Sequence, residues 1–85
     1  MLFEWDENTR QKVIRDHGVD FKDIVAAWLD GLPPSFRSDQ KGEARYVGLA
    51  EIEGERWAGI FTLREDKLRF DSARKWKRKD GRKLG

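Results

Sequence analysis

Four side chains of this 85-residue chain have the types needed for chemistry at a phosphodiester: Arg74, Lys75, His17 and Arg64. A phosphodiester is cleaved without a metal when a nearby hydroxyl attacks the phosphorus. That attack needs a base near the hydroxyl, cations around the developing phosphorane and a donor for the leaving oxygen. His17 is the single histidine, and imidazole is the side chain that ordinarily titrates near neutrality. The competing role for His17 is structural, since an imidazolium beside Gly18 at a helix C-terminus can cap carbonyls. Arg74 and Lys75 leave the last expected strand together with Ser72. By strand alternation Arg74 shares a face with Ser72 and Phe70, and Lys75 points the other way. A guanidinium there can clamp a phosphate through two parallel bonds; pairing with Asp71 or Asp80 is the alternative. Arg64, in the preceding turn, could reach the same rim or stay solvated.

Around these lies a broader basic field. Lys77, Arg78 and Lys79, with Arg82 and Lys83, would attract phosphates without reading sequence. Residues 1–63 carry 8 Lys/Arg against 12 Asp/Glu, a net of −4, whereas residues 64–85 carry 10 against 4, a net of +6. A polyanion would therefore approach the C-terminal quarter first, a layout that suits a nucleic acid and equally an acidic protein partner. Of the 4 tryptophans, Trp5, Trp28 and Trp57 fit core faces. Trp76, set among basic residues, is the candidate for stacking on a base, with packing back over the sheet as its alternative. Arg45, with Glu43, is either an ion pair or a further RNA contact.

Composition narrows the classes. With 0 cysteines and 1 histidine, neither a disulfide framework nor a zinc site with ordinary ligand spacing can be assembled, and no metal or other cofactor is expected. No apolar run approaches the roughly 18–20 residues that span a bilayer, so no membrane partner is expected. The opening "MLFEWDENTR" carries acids where a secretion signal carries bases. The expectation is a soluble cytoplasmic protein in one domain, residues 1–85, with residues 75–85 a basic C-terminal extension.

The elements that must position these residues follow from pattern. "LFEW" reads as an initial strand. Asn8 is the expected N-cap of a helix over about residues 9–17, with Val13 and Ile14 as its apolar stripe and Gly18 as its stop. "VDFKDIVAAWLDG" reads as a second helix capped by Asp20. Phe21, Ile24, Val25, Trp28 and Leu29 form one apolar face, Val19 is a staple onto Ile24, and Gly31 is the stop. Residues 30–42 read as a polar loop. "ARYVGLAEI", "RWAGIFTL" and "LRFDSA" are then three strands joined by "EGE" and "REDK", an antiparallel meander. The expected class is α+β: strand, two helices, three-stranded meander, with a short C-terminal helix left open.

In that order the residues carry a resemblance. "FEWDENTRQKVIRDHGVDFKDI" resembles the opening signature of the BrnT family of bacterial toxins, in which F-x-W-D begins the chain and H-G-V-x-F joins two helices. "GEARYVGLAEI" is similar to its E-x-R followed by glycine, and "LRFDSARKW" to its late R-x-x-S-A-R. The resemblance spans nearly the whole chain. It implies a RelE-like fold and a metal-independent endoribonuclease toxin of a type II toxin–antitoxin system that inhibits translation. It also implies neutralisation by a BrnA-like ribbon-helix-helix antitoxin, with promoter DNA bound only through that complex. The chain departs from the pattern after S-A-R. Trp76 stands where the family has alanine, Asp71 where an apolar residue is usual, and "KRKDGRKLG" replaces a segment carrying glutamate and tyrosine. The alternative is therefore a non-catalytic RNA- or antitoxin-binding module.

Overall fold

The computed structural model describes residues 2–29, 31–33, 35–38, 42 and 44–77. They form strand β1 (Leu2–Glu4), helices α1 (Glu7–His17) and α2 (Phe21–Ala27), and strands β2 (Ser35–Arg37), β3 (Tyr46–Ile52), β4 (Glu55–Arg64) and β5 (Lys67–Lys75). The expected short C-terminal helix would fall beyond residue 77, outside the described residues.

Both helices begin at an aspartate. For α1 the cap is Asp6, whose carboxylate accepts from the Thr9 amide at 3.1 Å, so the expected Asn8 cap is displaced by two residues. Asp6 holds extended dihedrals, whereas Asn8 already lies inside the helix. Gly18 ends α1 in the left-handed region at φ 75°, its amide bonded to the Ile14 carbonyl, as expected of a glycine stop. Asp20 caps α2 as expected, accepting from the Lys22 amide at 3.0 Å. Gly31 does not end this helix. Regular bonding stops at Ala27, and the Trp28 amide is already shared between the Ile24 and Val25 carbonyls. Leu29 therefore leaves the apolar face and is 75 % exposed.

Asp20 also ties the helices together. Arg10 Nε and Nη2 donate to its two carboxylate oxygens at 2.9 and 2.8 Å, and Arg10 Nη1 donates to Glu7 at 2.7 Å. The Arg10 bond holds the Asp20 carboxyl below its ordinary range, against a smaller opposing effect of burial. A carboxyl depressed in the folded state adds stability above its unfolded pKa, and that stability is lost as pH falls through the folded one. Arg10→Ala is accordingly expected to melt below wild type at pH 7. The gap should narrow below about pH 4, where the unfolded aspartate protonates. Thermal melts of both proteins from pH 2 to 7 check this; a gap independent of pH would contradict it.

The expected three-stranded meander is the middle of a larger, mixed sheet. Its strand order is β1-β5-β4-β3-β2. β1 runs parallel beside β5, and β2 runs antiparallel beside β3, inside the stretch expected to be a loop. Two-residue turns join the central strands: Glu53 and Gly54 at φ 51° and 81°, the left-handed pair of a type I′ turn, then Glu65 and Asp66.

One face of the sheet carries the helices. Val13, Val19, Phe21, Ile24 and Trp28 pack there against Ala50, Phe61, Leu68, Phe70 and Ala73. Trp28 fits because glycines face it. Gly48 and Gly59 are paired across β3 and β4. A Cβ on Gly59 would stand 3.0 Å from the Trp28 ring, and one on Gly48 would stand 3.1 Å from it. The indole N–H donates to the Leu49 carbonyl at 2.9 Å, which satisfies its one polar atom in the core. Trp5 and Trp57 are half-buried and pack against the same cluster, as expected.

Candidate nucleic-acid interface

The second face of the sheet is covered by neither helix. Strand register assigns its residues, because cross-strand partners share a face. Gly48, Gly59 and Ala73 are partners beneath Trp28, so the flanking positions face the other way. These are Val47 and Leu49 on β3, Ala58 and Ile60 on β4, and Ser72 and Arg74 on β5, with Phe36 on β2 opposite Val47. Val47 and Ala58 are buried at 8 % and 0 % exposure yet stand outside the helix-side cluster.

Arg74 reaches this face through an irregularity in β5. Phe61 pairs with Phe70 while Ile60 pairs with Ser72, leaving Asp71 as an extra residue. Such a bulge shifts alternation by one. Before it Leu68 and Phe70 point to the core, and after it Ala73 does. The expectation that Arg74 shares a face with Phe70 is thus corrected: Arg74 and Ser72 lie on the opposite face.

Arg74, Arg45 and Trp76 share this face, with Arg45 one position beyond the Tyr46–Phe61 pair and so four positions along the strands from the Ala58–Arg74 pair. Arg74 is half-buried beside Ala58. Arg45 precedes core-facing Tyr46, so alternation puts it on the open face, and its Nε is shielded from solvent. Trp76 continues the ladder through a 3.0 Å bond from its amide to the Arg56 carbonyl. Its ring meets Phe36 at 5.8 Å, tilted by 50°. Trp76 thus does pack back over the sheet, while staying only half-buried.

The other selected residues are placed differently. Lys75 pairs with Trp57, so it points to the helix side, where its ammonium is 3.4 Å from Glu55. Arg64 pairs with Lys67 at the far end of the hairpin. By alternation it shares the face of Ala58 and Ile60, but it stands six positions along β4 from Ala58, about 20 Å at roughly 3.3 Å per residue, so the expected shared rim with Arg74 is not formed. His17 is exposed at the end of α1. It lines an open cleft of about 340 Å³ with Thr9, Lys12, Val13, Asp16, Asp71 and Ser72. Lys77 is exposed, and Arg78, Lys79 and Glu43 fall outside the described residues.

β5 separates that cleft from the open face. β1 covers the β5 edge only across 67–69, and α1 packs along β5 beyond it. Ser72 lines the cleft and precedes Arg74 by two positions, about 7 Å along a strand. Sequence reasoning missed two residues of the open face. Phe36 lies on a three-residue strand, too short for alternation to show. Arg56 stands level with Trp76 only through the pairing of β4 and β5. Among the described residues no group of three or more His, Asp or Glu side chains could hold a metal ion. No described helix is long and apolar enough to cross a membrane.

No curated protein matches the chain. A family model does, that of the ribonuclease toxin BrnT of type II toxin–antitoxin systems, over residues 5–80. The matched stretch holds both helices, strands β2 to β5 and the arginine-bearing open face. With most of its length inside that match, the chain belongs to the BrnT family of ribonuclease toxins.

Proposed function

We propose that the chain is a metal-independent endoribonuclease that cuts RNA on the open sheet face and so inhibits translation. A BrnA-like ribbon-helix-helix antitoxin neutralises it, and promoter DNA is met only through that complex. The scaffold on this reading is RelE-like and forms one domain. Its support is a meander-centred sheet with both helices on one side and a family match across nearly the whole chain.

The observation that carries the reading is the placement of Arg74. It stands half-buried on the face that no described helix covers, with Arg45 and Trp76 on the same face. In the proposed reaction the 2′-oxygen attacks the adjacent phosphorus, its proton passes to a base, and the bond to the 5′-oxygen breaks as that oxygen gains a proton. Arg74 binds the non-bridging oxygens, whose charge grows as the phosphorane forms; donors fixed there before reaction lower the barrier without reorganising. His17 transfers protons from the cleft side of the β5 edge, with the RNA crossing that edge at Ser72. Lys75, on the helix side, and Arg64, at the far end of the open face, act in this scheme only on flanking phosphates, as do Lys77, Arg78 and Lys79.

The test is cleavage of a fluorescent single-stranded RNA by the purified chain in excess chelator, with growth arrest on induction as the cellular counterpart. Cleavage with chelator present and arrest on induction are expected. RNA affinity should fall with salt at a log–log slope of about −3, as for roughly four phosphates neutralised on a single strand. Salt-dependent binding without cleavage or arrest would instead select the non-catalytic RNA- or antitoxin-binding module, the reading favoured by Lys75 pointing to the opposite face and Arg64 standing about 20 Å along β4.

A further inference from the structure

We propose that Phe36 and Trp76 together form a nucleobase-stacking site on the open face, placing one base of single-stranded RNA beside the phosphate held by Arg74. The inference rests on the RNA-cleaving reading above and adds to it a residue, Phe36, and a ligand chemistry, the π-face of an unpaired base.

Three observations carry it. First, an antiparallel sheet packed on one side ordinarily turns polar residues to water on the other. Here the second side presents Phe36, Val47, Leu49, Ala58, Ile60 and Trp76, and no described helix covers them. Second, the two rings come from β2 and from the end of β5, three strands apart, and meet on the face that carries buried Val47 and Ala58. Their 50° tilt at 5.8 Å is a splayed pair, and both rings keep part of their surface in solvent. A flat base can lie against that remaining surface. Third, the pair is set among cations: Arg74 is two residues before Trp76, about 7 Å along the strand, and Arg56 stands level with Trp76 on β4. Aromatic faces within a basic groove are how sequence-tolerant single-strand sites hold bases and phosphates at once.

The probe is a ten-nucleotide 2′-O-methyl oligoribonucleotide, which lacks the attacking hydroxyl and so reports binding without cleavage. An abasic backbone of the same length is its partner. The wild-type chain is expected to bind the base-bearing oligomer more tightly than the abasic one, with tryptophan quenching that Trp76→Phe removes. Phe36→Leu, which keeps an apolar cover over Val47, should weaken binding about tenfold. Phe36→Tyr, which keeps the ring, should bind like wild type. Equal affinity for the two oligomers, or for Phe36→Leu and wild type, overturns the stacking site. If such a chain still cleaves RNA, the ribonuclease reading stands alone. If it neither binds nor cleaves, both readings fall, and the aromatic pair serves a protein contact or only covers the sheet.

Discussion

Arg74→Ala is expected to lower RNA cleavage by about 100- to 1,000-fold and to abolish growth arrest, with the melting temperature nearly unchanged. The magnitude is that of removing one preorganised donor to a developing anionic charge. The stability expectation follows from position. Arg74 lies opposite Ala58 on the face that no described helix covers, while the aromatic cluster fills the other. Truncation therefore opens no cavity beneath Trp28 or Phe70. Arg74→Lys should retain part of the activity, because an ammonium supplies charge but not the paired bonds of a guanidinium. Arg64→Ala is the matched control. It removes an equal charge about 20 Å away along β4 and should leave the chemical step within a few-fold of wild type. Cleavage by Arg74→Ala at the wild-type rate would remove this residue from the site, and an equal loss in Arg64→Ala would mean that charge alone matters.

The largest stability loss is expected from Phe70→Ala. Phe70 is 1 % exposed and is the hub of the aromatic cluster. Its ring lies 4.9 Å from Phe21, 5.6 Å from Trp28, and 6.2 Å from both Phe3 and Trp5. One side chain thus joins β1, both ends of α2 and the segment before α1 to the sheet. Truncating a buried phenylalanine costs about 3–5 kcal/mol, the transfer loss plus the cavity left behind. That approaches the whole stability of many small domains, and at this size it lowers the melting point by about 20 °C or more. Circular dichroism melts check it. Leu29→Ala, at a 75 % exposed position, should shift stability by no more than about 0.5 kcal/mol. A Phe70→Ala melt close to wild type would mean that the ring cluster is not what holds the sheet to the helices.

Much of the fold was legible because its signals are local. Gly18, Asp20 and the glycine turn at Gly54 act within a few residues of chain, and each does what its type dictates. The long apolar strands β3, β4 and β5 carry enough residues for period and turn chemistry to agree. The misses are non-local. β1 joins the sheet as a parallel edge beside β5, more than sixty residues away in sequence, and three residues of pattern cannot specify a partner. β2 hides in a proline-bearing stretch for the same reason. Asn8 and Asp6 are both good caps by type, and the choice between them rests on which one holds extended dihedrals when Val13 must face the sheet.

By itself, then, the sequence determined the residue inventory: a basic C-terminal quarter, an arginine near the end of the last strand, one histidine at a helix end, and the motif order that marks the family. It could not decide which of those residues work together. That fell to tertiary structure, and to one residue above all. Simple alternation sends Arg74 to the side of Phe70, but the extra residue at Asp71 turns the strand over, so that Ala73 enters the core and Arg74 emerges on the open face. A period of two is reversed by a single insertion. Whether the insertion exists depends on what β4 can pair with, and only the folded sheet holds that information.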